Sequence, residues 1–288
     1  MATKKTTAHN STKATATKGR PAGLLTWVTA GAAVVIVAVL VILNVTKSSP
    51  SQTDTSGATT NSTIVSQLAS VPASTFNSVA VTSSVIPITP PQVFTGKPAL
   101  TYTVNGKKLP GVFYDGAEYC PYCAAERWSL IVALDRFGSF TGLRNTASSA
   151  TDVSPNTPTF SFVKATYSSP YVAFRAVEQY DQIQHPLQTL SAADTNIIQL
   201  FGANSFPFVS IANETAVLQS AYSPSALAGL TRTSIAANLA DPTNIVSQAI
   251  VGSANYLTAG ICHADGQQPA KVCTSPGVKA AATALGLK

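Results

Sequence analysis

The chain has 288 residues, 45% hydrophobic and only 10% charged, with a formal net charge of +6. Five of its eighteen basic residues, Lys4, Lys5, Lys13, Lys18 and Arg20, stand before residue 22 with no acid among them. The remainder is nearly neutral, which speaks against a nucleic-acid-binding body, because phosphate recognition needs a local excess of Lys and Arg.

Residues 1–21 form a basic tail, and the chain is then uncharged from Pro21 to Thr46. About 20 apolar residues span a bilayer core, so residues 22–45 are expected to form one transmembrane helix. After Lys47 there is no Lys or Arg until Lys97. That asymmetry predicts a cytoplasmic N-terminus and an extracytoplasmic remainder, in a single-pass protein of the cell membrane. A cleaved signal peptide is the alternative, but the apolar run is long for one and lacks a clear cleavage pattern. Either outcome exports the rest of the chain.

Residues 46–63 are Ser- and Thr-rich with few apolar side chains, and read as a flexible stalk. Residues 64–288 are expected to form the folded domain. "TIVSQLASVPASTFNSVAV" reads as a short helix, followed by a proline-marked connector. "ALTYTV", Asn105–Gly106 and "GVFYD" read as two strands around a tight turn. "CAAERWSLIVALDRFG" has a helical period and is expected to end near Phe137 and Gly138. Past a loop-rich stretch, "TFSFVKATY" and "YVAFRAVEQY" read as two strands. "LSAADTNIIQLFG" is a helix with Ser191 and Asp194 as a capping box. "FPFVSIANETAVLQ" reads as two strands around a turn. Two helices follow, the second opening with Asp241 as cap and Pro242 at its first position.

Between the aromatic strand and the helix stands "AEYCPYCAA", residues 117–125. A strand that delivers Cys–x–x–Cys onto a helix start puts the first thiol where free backbone N–H groups and the helix dipole favour negative charge. Such a setting can lower a thiol pKa from about 8.5 to roughly 3.5–7.5. Cys120 is therefore the expected attacking thiolate and Cys123, one turn on, the resolving thiol. Pro121 suits the first turn, and Tyr122 is the tuning position between the cysteines.

The run "AEYCPYC" resembles the active site of the thioredoxin superfamily. "GAEYCPYCAAERWSLIVAL" is more closely similar to a family of uncharacterised, membrane-anchored thioredoxin-fold proteins known as a domain of unknown function, over about residues 64–275. The resemblance implies an α/β, thioredoxin-like fold: a central mixed sheet flanked by helices, with an insertion between Cys123 and Pro207 and extra C-terminal helices. It also implies a cis Phe206–Pro207 bond beside the cysteines, with the Phe206 backbone offered to substrate; an ordinary trans proline is the alternative. Thioredoxins carry a buried Asp six residues before the first cysteine, where this chain has Tyr114. Asp115 is adjacent but should face the other side of the strand. Glu126 is the candidate proton acceptor in its stead, or else a surface partner of Arg127 or Lys164.

A zinc site would need four ligands. Cys120, Cys123, Cys262, His263 and Cys273 supply the number, but C-H-x9-C is no recognised knuckle. Cys262 and Cys273 close a polar stretch of an exported domain and are expected to form a structural disulfide; a second redox pair is the alternative. His9, His185 and His263 make no Ser–His–Asp or Cys–His arrangement, and no phosphate loop follows a strand. Neither a metal nor a cofactor is expected. The reading is a thiol–disulfide oxidoreductase whose partners are exported proteins with thiols or disulfides, the membrane through residues 22–45, and a redox partner that the sequence leaves unspecified. A redox-inert binding module of the same fold is the alternative.

Overall fold

The computed structural model describes residues 56–287 apart from residues 80 and 82–84. The basic tail, the expected membrane span and the stalk as far as residue 55 lie outside these residues. From Ser56 the supposed stalk is bound to the domain. Gly57 N–H donates to Asn145 O (2.7 Å) and Thr60 N–H to Leu143 O (2.8 Å). Thr60 is buried, and its hydroxyl donates to Asn145 Oδ1. Composition alone hides this, because the segment is held by backbone hydrogen bonds rather than by apolar side chains.

Two helices, α1 (Ser62–Ala69) and α2 (Ala73–Ser78), occupy the stretch read as one, with Pro72 capping the second. Strands β1 (Gln92–Val93), β2 (Thr101–Val104) and β3 (Lys107–Gly116) follow. Asn105 and Gly106 both have positive φ, as the turn between β2 and β3 requires. Helix α3 (Pro121–Leu134) leaves the end of β3 through Ala117–Cys120 and is capped by Asp135. The segment after α3 holds β4 (Ser139–Thr141), β5 (Arg144–Ala147), β6 (Pro158–Ser161) and β7 (Thr166–Ser168), paired as β4–β7 and β5–β6. The expected strand "TFSFVKATY" is thus broken in two, at a turn where Lys164 has a positive φ.

Strand β8 (Ala173–Glu178) returns parallel to β3 and leads to α4 (Ala192–Leu200), which carries the expected capping box. The hairpin of β9 (Phe208–Ile211) and β10 (Thr215–Val217) completes the main sheet. Its order is β1–β10–β9–β3, with β8 beside β3 and β2 paired to the first half of β3. The β3–β8 pair is parallel and the others are antiparallel, so the sheet is mixed. Side-chain alternation sorts the two faces. Val112, Tyr114, Val209 and Ile211 join the larger core with α3, while Phe113 and Phe208 join the smaller core under α4.

The C-terminal part differs from expectation in detail. A 3-10 turn (Pro224–Leu227) and α5 (Arg232–Asn238) replace one continuous helix. Asp241 caps only a turn, through Thr243, and α6 (Ile245–Ala264) starts four residues later with Asn244 as its cap. Asn244 wins because its side chain reaches the Val246 N–H at 2.9 Å. By length and composition α6 could cross a membrane, yet 89% of its most apolar window is buried within the fold. It is a core helix against α3. The polar stretch between Cys262 and Cys273 ends in a short helix, α7 (Ala270–Cys273), and α8 (Pro276–Leu285) follows it.

Candidate active site

The end of β3 and the start of α3 bring the cysteines together. Cys120 is the cap residue of α3, and its sulfur accepts the Cys123 N–H at 3.2 Å. Both thiols are free. Cys120 keeps 7% of its surface exposed and Cys123 none. The Cys123 thiol donates to the Cys120 sulfur, and together with the backbone N–H groups of Tyr122 and Cys123 and the Arg127 guanidinium this lowers the Cys120 pKa. Burial, and then the sulfur of Cys120, pushes the Cys123 thiol well up. One thiol is disposed to be a thiolate and the other to hold its proton.

Beneath them lies a group that sequence reading missed. Arg127, wholly buried, grips wholly buried Glu178 with two bonds, Nε to Oε1 (2.8 Å) and a terminal nitrogen to Oε2 (2.6 Å). The same nitrogen donates to Ala117 O at 2.8 Å, tying the loop before Cys120 to the helix. Its guanidinium also stands 5.7 Å from the Tyr114 ring centre. Tyr114, six residues before Cys120, is fully buried, and its hydroxyl has no hydrogen-bond partner among the described residues. A Cβ on Gly116 would collide with that hydroxyl, so the glycine makes room for it. A charged pair inside "CAAERWSLIVAL" was the available signal: every residue of α3 except Tyr122 is buried, which leaves no surface for Arg127 to reach.

Glu126 is not a surface group, and neither proposed surface partner holds it. It is wholly buried, accepts the Ala221 N–H at 3.1 Å and is pushed up to about 7 by burial. The positive charge that acts on both thiols is that of Arg127.

The Phe206–Pro207 bond is cis. Phe206 packs with Tyr119 and Tyr180 against Ala117, Cys120 and Cys123. Pro207 is buried at the start of β9. Cys120 opens onto a cleft of about 500 Å³ lined by Asp115, Tyr119, Gln179, Asn204, Ser205 and Phe206, among others. Pro121 begins the helix. Tyr122, 44% exposed, faces a separate groove of about 460 Å³ with Ile86, Tyr222 and Ile245. The segment of β5 and β6 braces the approach to the cysteines: Ser149 N–H donates to Tyr119 O (2.8 Å), and the Thr146 hydroxyl to Glu118 Oε2 (3.2 Å).

The other two cysteines are apart from this centre. Cys262 and Cys273 form a disulfide with Cα atoms 5.5 Å apart. Half of the thiols counted toward a zinc site are therefore joined to each other, and no group of three or more His, Cys, Asp or Glu among the described residues could hold a metal ion.

A family described as a domain of unknown function (DUF929) matches residues 98–201. That span runs from β2 through α4 and includes Cys120, Cys123, Arg127 and Glu178. No protein of curated function and no solved structure matches the chain.

Proposed function

We propose that the protein is a membrane-anchored, extracytoplasmic thiol–disulfide oxidoreductase with a thioredoxin-like domain. The observation that carries this reading is the unequal pair: an N-cap thiol with a lowered pKa beside a wholly buried thiol with a raised one. The strand order β8–β3–β9–β10, with the cysteines leaving β3 and Pro207 entering β9, supports the fold assignment. The anchor and the orientation rest on the charge asymmetry about residues 22–45.

As a reductase, the Cys120 thiolate attacks one sulfur of a substrate disulfide and expels the other as a thiolate. Cys123 then gives up its proton to solvent and attacks Cys120 Sγ. The second substrate thiolate leaves, and a Cys120–Cys123 disulfide remains. Two electrons have passed to the substrate, and a dithiol partner must return them. Oxidation of an exported dithiol is the same sequence reversed, and the potential of the couple decides the direction.

Trapping tests this reading. Cys123→Ser removes the resolving attack and leaves the nucleophile. It is expected to accumulate reductant-sensitive adducts between Cys120 and exported proteins, whereas Cys120→Ser accumulates few. Two adduct-free variants in cells where the protein is abundant would instead support the redox-inert binding module.

A further inference from the structure

The cleft beside Cys120 contains one carboxylate, and no part of the thiol chemistry above uses it. Asp115 is 4% exposed, lies on the β3 face opposite Tyr114, and still lines the cleft that Cys120 opens onto. Gln179 Nε2 donates to both of its oxygens, at 2.9 and 3.1 Å. A neutral amide orients a carboxylate but does not neutralise it.

The neighbouring charges do not neutralise it either. Glu178 is occupied by Arg127 and Asp194 by Arg175. Burial pushes the Asp115 pKa up to about 6, and the two carboxylates, as like charges, add to that effect. No Lys, Arg or His pairs with Asp115 among the described residues. The other side chains that line the cleft, from Tyr119 to Phe206, include no Lys, Arg, His or second carboxylate. A buried carboxylate without a cation is costly, and an opposite charge arriving from outside offsets that cost.

We infer that Asp115, held by Gln179, selects substrates that carry a Lys or Arg next to the target cysteine. The inference rests on the oxidoreductase reading and deepens it. A polypeptide whose cysteine sulfur reaches Cys120 must thread this cleft past Phe206. A basic neighbour of that cysteine can then set its cation against Asp115 while the sulfurs meet. An acidic neighbour would bring like charges together in a confined, largely apolar space.

The test uses the full-length protein in detergent, reduced at Cys120 and Cys123. Three symmetric disulfide dimers of one short peptide are compared, with Lys, Gln or Glu beside the cysteine. Single-turnover reduction yields two peptide thiols and one Cys120–Cys123 disulfide. At pH 8 the Lys peptide is expected to react about tenfold faster than the Gln peptide, as befits one close charge pair, and the Glu peptide more slowly still. Asp115→Asn should bring the Lys/Gln ratio close to one. In the unmodified protein the same ratio should shrink as pH falls through about 6, where Asp115 takes up a proton. That ratio cancels the loss of thiolate, which slows both peptides alike, and it needs no variant to fold. Equal rates for the three peptides at pH 8, or a preference that survives Asp115→Asn or acid, would overturn the role of Asp115 alone. Failure of all three peptides to react would overturn the oxidoreductase reading itself, and this inference with it.

Discussion

Cys120 and Cys123 stand at the first turn of α3, and Cys262 stands in the last turn of α6. At the first pair, backbone N–H groups and Arg127 favour a thiolate, and the two thiols are free. At the second, the helix end presents carbonyl groups and a partial negative charge, which disfavours one. The acid Asp265 caps that end, and Cys262 and Cys273 are joined and buried in the main core. Two pairs of the same residue in one domain thus stand in different settings and different bonding states. The difference lies in which end of a helix they occupy and in whether a buried cation stands beside them, rather than in sequence spacing.

The largest expected effect comes from removing that cation. Arg127→Met leaves Glu178 as a buried charge without a partner and should cost about 3–5 kcal/mol in urea unfolding. It should also raise the Cys120 pKa, seen as slower alkylation near neutral pH. The double variant Arg127→Met with Glu178→Leu should recover most of the stability and none of the alkylation rate. That outcome would separate holding the fold from tuning the thiol.

Opening the second pair is the converse. Cys262→Ala with Cys273→Ala should cost roughly 3 kcal/mol, the chain-entropy value for a loop of this size. Alkylation of Cys120 should be unchanged. A changed rate would mean that the two pairs communicate.

The smallest of the three effects concerns Glu126, which lies in the same helix as the first pair. Its folded pKa, about 7, is above its value of 4.5 when unperturbed. A carboxyl raised in this way stabilises the fold most when protonated, and that contribution is lost as pH rises from about 4 to about 7. Glu126→Gln keeps an acceptor for the Ala221 N–H and carries no charge. It should therefore raise stability at pH 8 by about 2 kcal/mol and flatten the decline between about pH 4 and 7. Thiol reactivity is the second readout: a slower resolving step would mark Glu126 as the proton acceptor, and an unchanged one would exclude it.

Local signals were legible in the sequence. Asn105–Gly106, the Ser191–Asp194 capping box and a Cys–x–x–Cys at a helix start each depend on a few adjacent residues and stand where expected. The Cys262–Cys273 bond was legible as well, since its partners lie 11 residues apart. Long-range choices were not. Arg127 finds Glu178 fifty-one positions away, and nothing nearby in sequence names that partner. A surface position for Glu126 stayed open as one alternative because helical spacing cannot tell that α3 is covered nearly all round. The start of α6 at Ile245 turned on a contest between two good caps, Asp241 and Asn244. Asp115 was assigned to the correct side of β3, but not to the cleft that Cys120 shares, because that cleft opens past the end of the sheet.

A redox titration of the full-length protein against defined thiol–disulfide buffers, read by the mass of alkylated cysteines, tests the central claim most directly. The account predicts that Cys120 and Cys123 form and break a disulfide reversibly, as one two-electron couple, at potentials where Cys262–Cys273 stays closed. A Cys120–Cys123 pair that never closes, or that opens only after Cys262–Cys273, would contradict it.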